Sequence, residues 1–199
     1  MKLLLADPNR DFLKAYHKLL SLEGHEVAVC FEGTETVRAL TTGQYGAAVV
    51  NAALPRVTCG QVLALARETD TRTVVLTNKK ISAGLLLSEP LANAYLPFPF
   101  LPEELVSLLR RVAETAKSDR QLTAGDVSVS VASFCISGAN VPLTVGEIGV
   151  FEALIHGAQV QPAEFGPYIS ALNAKFARAG KRLRVEYQNR EGYRLVTAI

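Results

Sequence analysis

Residues 46–55 read GAAVVNAALP. Ala47, Ala48, Val49 and Val50 are apolar without alternation, and a glycine and a proline bound the stretch. A short, unbroken apolar run of this kind predicts a strand buried on both faces, as in a parallel sheet. Asn51 closes that strand. In open α/β sheets the C-terminal rim of the strands is where ligands and chemistry are placed. The side chain at that rim is here an amide, where a carboxylate would be the more useful group.

The same pattern extends to both sides. Residues 2–6 form an apolar run that stops at Asp7-Pro8, and Asn9 or Asp7 can cap a following helix. Phe12, Leu13, Tyr16, Leu19, Leu20 and Leu22 recur at helical spacing, and Gly24 can close that helix. Strands are expected at 26–31, 73–77 and 94–96, with Thr77 ending the middle one. Helices are expected at 34–42, 60–69, 81–91 (Leu-rich and frayed by Pro90) and 102–116, the last with proline in its first turn. Five βα repeats predict an α/β fold: a doubly wound, five-stranded parallel sheet with right-handed crossovers.

Beyond residue 117 the period changes to two. The polar run KSDRQ at 117–121 reads as a connection, which divides the chain into domains at 1–117 and 122–199 around a linker at 118–121. Short strands are expected at 126–131, 133–137 and 141–143. Thr144 and Glu147 make a capping box that opens a helix running to His156. Residues 162–165 can form one helical turn, Gly166-Pro167 interrupts, and a helix follows at 167–179. Residues 183–188 and 193–197 read as a hairpin. The second domain is therefore α+β.

Composition sets outer limits. With 199 residues, 49% hydrophobic and 20% charged, the chain is ordinary globular material, and a net charge of +2 does not by itself argue for nucleic acid. Cys30, Cys59 and Cys135 are odd in number and widely spaced, which fits a reduced, cytoplasmic protein with thiols as small buried groups. No stretch approaches transmembrane length, so no membrane is expected. No catalytic triad, phosphate loop or metal cluster is present in the sequence pattern. Neither enzymatic activity, a metal nor a cofactor is expected.

The ordered set LLLAD (3–7), VVNAALP (49–55), VVLT (74–77) and AYLPFPFLPEEL (94–105) resembles the receiver domain of two-component response regulators over roughly residues 2–116. The resemblance places Asn51 at the phosphoacceptor aspartate and Asp7 with Pro8 at the acidic, Mg²⁺-binding pair. Thr77 falls at the phosphoryl-contacting hydroxyl and Phe98 at the lysine of a KPF triplet. An amide lacks the anionic nucleophile that makes an acyl phosphate. Mg²⁺ is usually held by one or two carboxylates plus phosphate, and Phe98 supplies no charge to a transferring group. A degenerate receiver, working without aspartyl phosphorylation, is the expectation. In the OmpR-like branch the resemblance also implies a homodimer face, here Ile81, Leu85, Leu86, Leu91, Arg110 and Arg111. A ligand or partner in the vacated pocket near Asp7, Asn51 and Phe98 is a further possibility.

PLTVGEIGVFEALI (142–155) and YISALNAKFARAGKRLRVEYQNREGYRLV (168–196) resemble the OmpR-type winged helix, with a shortened positioning helix between 154 and 169. Its basic cluster comprises Lys175, Arg178, Lys181, Arg182, Arg184, Arg190 and Arg194, the electrostatic footprint of a duplex reader. Asn173 and Lys175, on an exposed helix face, would reach base edges, Arg190 at the wing tip a minor groove, and the others phosphates. The expected function is a DNA-binding response-regulator transcription factor, with RNA polymerase or another regulator as a further partner. The alternative is an adaptor whose winged helix binds a protein.

Overall fold

The computed structural model describes residues 1–88, 91–116, 118, 120–158, 160, 162–188 and 192–197. Two units separate: Met1–Lys80 with Ala92–Ala113, and Ile81–Leu91 with Glu114–Ile199.

The first unit is built on β1 (Lys2–Ala6), β2 (Glu26–Cys30), β3 (Ala47–Asn51), β4 (Arg72–Thr77) and β5 (Ala94–Pro97). All neighbouring strands pair in parallel, in the order β2-β1-β3-β4-β5. The stretch that reads as doubly buried is the central strand. Ala48, Val49 and Val50 are fully buried, as are Leu3, Leu4 and Leu5 on β1 beside it. Helices α1 (Arg10–Leu22), α2 (Gly33–Thr42) and α3 (Cys59–Glu68) supply the first three crossovers, and α5 (Pro102–Ala116) follows the last strand. Asn9 caps α1 by accepting the N–H groups of Asp11 and Phe12. Thr58 and Gln61 form a capping box that starts α3.

The loop after Asn51 is pinned from the side. Gly33 donates its N–H to the Pro55 carbonyl at 3.0 Å, and a Cβ on Gly33 would lie 2.5 Å from that of Val57. Only glycine lets the two segments approach so closely. Arg56 pairs with Glu32 across the same seam.

Between β4 and β5 the expected helix 81–91 contracts to α4 (Ala83–Leu86). Ser82 caps it by accepting the Leu85 N–H at 3.2 Å, which sets its start. Pro90 lies outside the described residues. The whole segment Ile81–Leu91 belongs to the second unit, where α4 lies against α7.

In the second unit β6 (Gln121–Ala124), β7 (Val127–Ser130), β8 (Cys135–Ile136) and β9 (Val141–Pro142) form an antiparallel sheet. Gln121, read above as linker, pairs with Ser130 as the first residue of β6. Two helices follow, α6 (Val145–Ile155) and α7 (Pro162–Arg178), then the hairpin β10 (Leu183–Gln188) and β11 (Gly192–Thr197). This set is consistent with a winged-helix-like domain. The expected break at Gly166-Pro167 is absent, and α7 runs through Pro167. An internal proline costs a helix roughly 3 kcal/mol. Burial of Ile169, Ala171, Leu172 and Phe176 offsets it. The rings of Phe151 and Phe176 meet edge-on at 5.5 Å, and Gly146 of α6 leaves room for the Tyr168 ring.

Candidate functional site

Parallel pairing brings the ends of β1, β3 and β4 to one rim. Asp7 follows β1 and is 2% exposed. Both of its oxygens are engaged. Oδ1 accepts the Asn9 N–H at 2.7 Å, and Oδ2 accepts the Asn51 Nδ2–H at 2.7 Å. Asn51 is engaged at both ends too, since its Oδ1 accepts the Ala53 N–H at 2.8 Å. The arrangement is a closed chain of donors and acceptors from the Asn9 amide to the Ala53 amide. The Asn51 amide group presents a donor to the carboxylate, where a cation would otherwise have to balance it.

The remaining rim residues are equally settled. Pro8 is exposed and offers no carboxylate beside Asp7. Thr77 is 5% exposed, and its hydroxyl accepts the Lys79 N–H at 3.1 Å. Phe98 donates its N–H to the Thr77 carbonyl at 2.8 Å and precedes a cis peptide bond to Pro99. Its ring turns to Phe12 and Phe100, with centroids at 6.1 and 4.8 Å. The position that resembles the lysine of the receiver motif is thus occupied by an aromatic cluster, a feature that the apolar string YLPFPFL signals without locating its partners on α1.

The residues assigned to a dimer face do not form one surface of one unit. Ile81, Leu85, Leu86 and Leu91 fall in the second unit, Arg110 and Arg111 in the first. Leu86 is 1% exposed and unavailable to another chain. Arg110 is paired with Glu23.

The basic cluster of the second unit divides by role. Lys175, expected on an exposed face, is 3% exposed and points inward. Its Nζ lies 2.9 Å from both oxygens of the fully buried Glu147. The geometry is aligned for donation to Oε2, while Oε1 accepts no hydrogen bond from the described residues and faces the Lys175 charge at 2.9 Å. Glu147 Oε2 also accepts the N–H and hydroxyl of Thr144 at 2.7 and 2.9 Å. Burial pushes the Glu147 carboxyl above the usual carboxylate range, opposed by Lys175 and then Thr144.

Asn173, also expected at base edges, acts instead as a strand partner. Its amide donates to the Val185 carbonyl at 2.9 Å and accepts the Val185 N–H at 2.7 Å, tying α7 to β10. Among the described side chains of α7, those that face outward are Ser170, Ala174, Ala177 and Arg178. Arg182 and Arg184 are exposed and Lys181 is half-buried. Arg194 donates to the Gly157 carbonyl at 3.2 Å. Arg190 lies outside the described residues. One residue that sequence reading missed is Asp126, which accepts the N–H groups of Arg182 and Leu183 at 2.7 and 3.0 Å and so fixes the start of β10. Those bonds, the Arg182 N–H first, hold its carboxyl below the usual range.

Of the cysteines, Cys30 is buried while Cys59 and Cys135 are half-exposed. Among the described residues no helix is long and apolar enough to cross a membrane.

No family model matches the chain. A two-component response regulator from Clostridium difficile superposes with a TM-score of 0.55 at 16% identity, over 59% of this chain and 99% of that one. The first unit has the receiver fold. A mutant of RitR aligns over 99% of both chains with a TM-score of 0.64 and 18% identity. In sequence, the chain is similar to the response regulator MprA of Mycobacterium ulcerans, 24% identical over 149 residues. It is similar also to MprA of Mycobacterium avium, 27% identical over 122 residues. The matched stretches cover 73% and 60% of this chain, and span 64% and 54% of those relatives' own length.

Proposed function

We propose that the chain is a response-regulator transcription factor that works without aspartyl phosphorylation and binds duplex DNA through its second unit. The single observation that carries the first half is the bond from Asn51 to Asp7. It replaces the phosphoacceptor with an amide and occupies the carboxylate that remains. The second half is supported by Arg182, Arg184 and Lys181 at the start of β10, next to α7. Cations so placed suit phosphate contacts, which set affinity and salt dependence rather than sequence preference. We assign the chain no catalytic step.

A gel shift with genomic fragments across a salt series, run with and without a small-molecule phosphodonor and Mg²⁺, tests both halves. Affinity should fall steeply with salt, and the phosphodonor should change neither the shift nor the protein's mass. Arg182→Ala and Arg184→Ala should each weaken binding on all fragments alike and lower the salt slope by about 1. Phosphoryl mass on the first unit would end the first half.

A second reading is favoured by the outward face of α7, which is small and neutral at Ser170, Ala174 and Ala177. Such a face suits a protein partner, and absence of a shift at every salt concentration selects it. Dimerisation belongs to the first reading. Light scattering of the full chain at tens of micromolar is expected to return twice the chain mass, and a monomer removes the dimer.

A further inference from the structure

We propose that the ring cluster formed by Phe12, Tyr16, Phe98 and Phe100 is a docking site for an arginine side chain of a partner protein. Phe12 and Tyr16 stack at 4.3 Å, Tyr16 approaches Phe100 at 5.9 Å, and Phe12 meets Phe100 edge-on at 6.4 Å. With the contacts of Phe98 described above, the four rings are continuous. None is buried, and Leu101, which follows directly, is 66% exposed. Apolar residues scattered singly over a surface need no explanation, but a contiguous group does.

Charge decides what the group would take. Aromatic faces attract cations through the ring quadrupole, and a planar guanidinium stacks on them better than an ammonium. The adjacent charge is a carboxylate, Glu103 in the first turn of α5, close enough to raise the Tyr16 phenol pKa after the larger effect of burial. Among the described residues Glu103 makes no ion pair, and Arg110, which lines the adjoining groove, is held by Glu23. Beside Glu103 a groove of about 350 Å³ opens between α1 and α5, lined by Leu19, Pro102 and Val106 together with the polar Glu23, Ser107 and Arg110. The rings and a carboxylate that makes no ion pair among the described residues together match a cation on an aliphatic stem. The proposal concerns the first unit alone and does not depend on DNA binding by the second.

The test is an NMR titration of the full chain with N-acetyl-arginine methylamide, with the corresponding lysine and leucine compounds as controls. The arginine probe is expected to shift the signals of Phe12, Tyr16, Phe100 and Glu103 selectively. Phe100→Ala and Glu103→Gln should each weaken its binding about three- to five-fold. Glu103 is exposed, so its variant keeps the fold and reports on charge alone. Equal shifts from the leucine probe, or unchanged affinity in Glu103→Gln, would overturn the proposal. Shifts of the same residues on raising protein concentration without probe would do so too, because they would assign the patch to a second copy.

Discussion

Replacing Lys175 with alanine is expected to destabilise the second unit by about 3–5 kcal/mol, the usual consequence of leaving a buried charge without its partner. Glu147 is fully buried, and Lys175 is the sole cation among the described residues within ion-pair distance of it. Without that cation the carboxylate keeps, among the described residues, only the two Thr144 donors. Whole domains are stable by only about 5–15 kcal/mol, so the variant sits close to unfolding. The loss should depend on pH in a definite direction. Burial already raises the Glu147 carboxyl in the folded state, and removing Lys175 takes away the main opposing effect. A carboxyl raised on folding favours the native state below its unfolded pKa, and that contribution disappears as pH rises through the folded value. Lys175→Ala should therefore be least harmful in mild acid and most harmful at neutral pH. Glu147→Gln combined with Lys175→Met should recover most of the stability, because an amide still accepts the cap bonds and no charge is stranded. Denaturant unfolding followed through the signals of α6 and α7 measures all three. A single variant within about 1 kcal/mol of the parent would mean that the pair contributes only what a surface ion pair does.

This buried pair also marks where sequence reading stops. The run at β3 was legible because four apolar residues in a row have no alternative to burial on both faces. Helix starts were legible where a cap is local, as at Asn9 and Thr144. Lys175 was misplaced because a positive charge reads as exposure. A signal was nevertheless present: Thr144, Glu147, Ile148 and Phe151 lie on one stripe of α6, so an acid falls on an apolar face and requires a cation from elsewhere. The partner is 28 residues away, and spacing within one helix cannot name it. Asn173 was misread for a related reason. Its amide matches the Val185 peptide as well as it would match an adenine edge, and only the position of β10 decides between them. The break expected at Gly166-Pro167 failed because tertiary burial outweighs local propensity. At the rim, residue types were legible while their bonds were not. The sequence places an amide and one acid at neighbouring strand ends, and only the parallel register of β1 with β3 makes them partners.

Those bonds lead to the second large effect, Asn51→Asp. The substitution is nearly isosteric, but it replaces the donor that Asp7 accepts at 2.7 Å with a second carboxylate. Losing a hydrogen bond to a charged group is worth about 1.5–3 kcal/mol. Two carboxylates in contact add repulsion, which raises one of the pair's apparent pKa values. By the same sign rule as above, the variant's deficit should shrink in acid, where the pair holds a proton, and grow as pH rises through the folded value. The variant should also acquire a response to divalent cations that the parent lacks. Mg²⁺ is usually held through one or two carboxylates; the variant offers two side by side, where in the parent the amide occupies the one present, and a ligand that binds only the native state stabilises it by mass action. Thermal unfolding at neutral pH with and without millimolar Mg²⁺ reads both effects. The midpoint of Asn51→Asp should fall below that of the parent and rise again with the ion, while the parent's stays fixed. A parent midpoint that rises with Mg²⁺ would show that Asp7 recruits a cation despite the amide, and the proposed independence from the phosphate relay would fail with it.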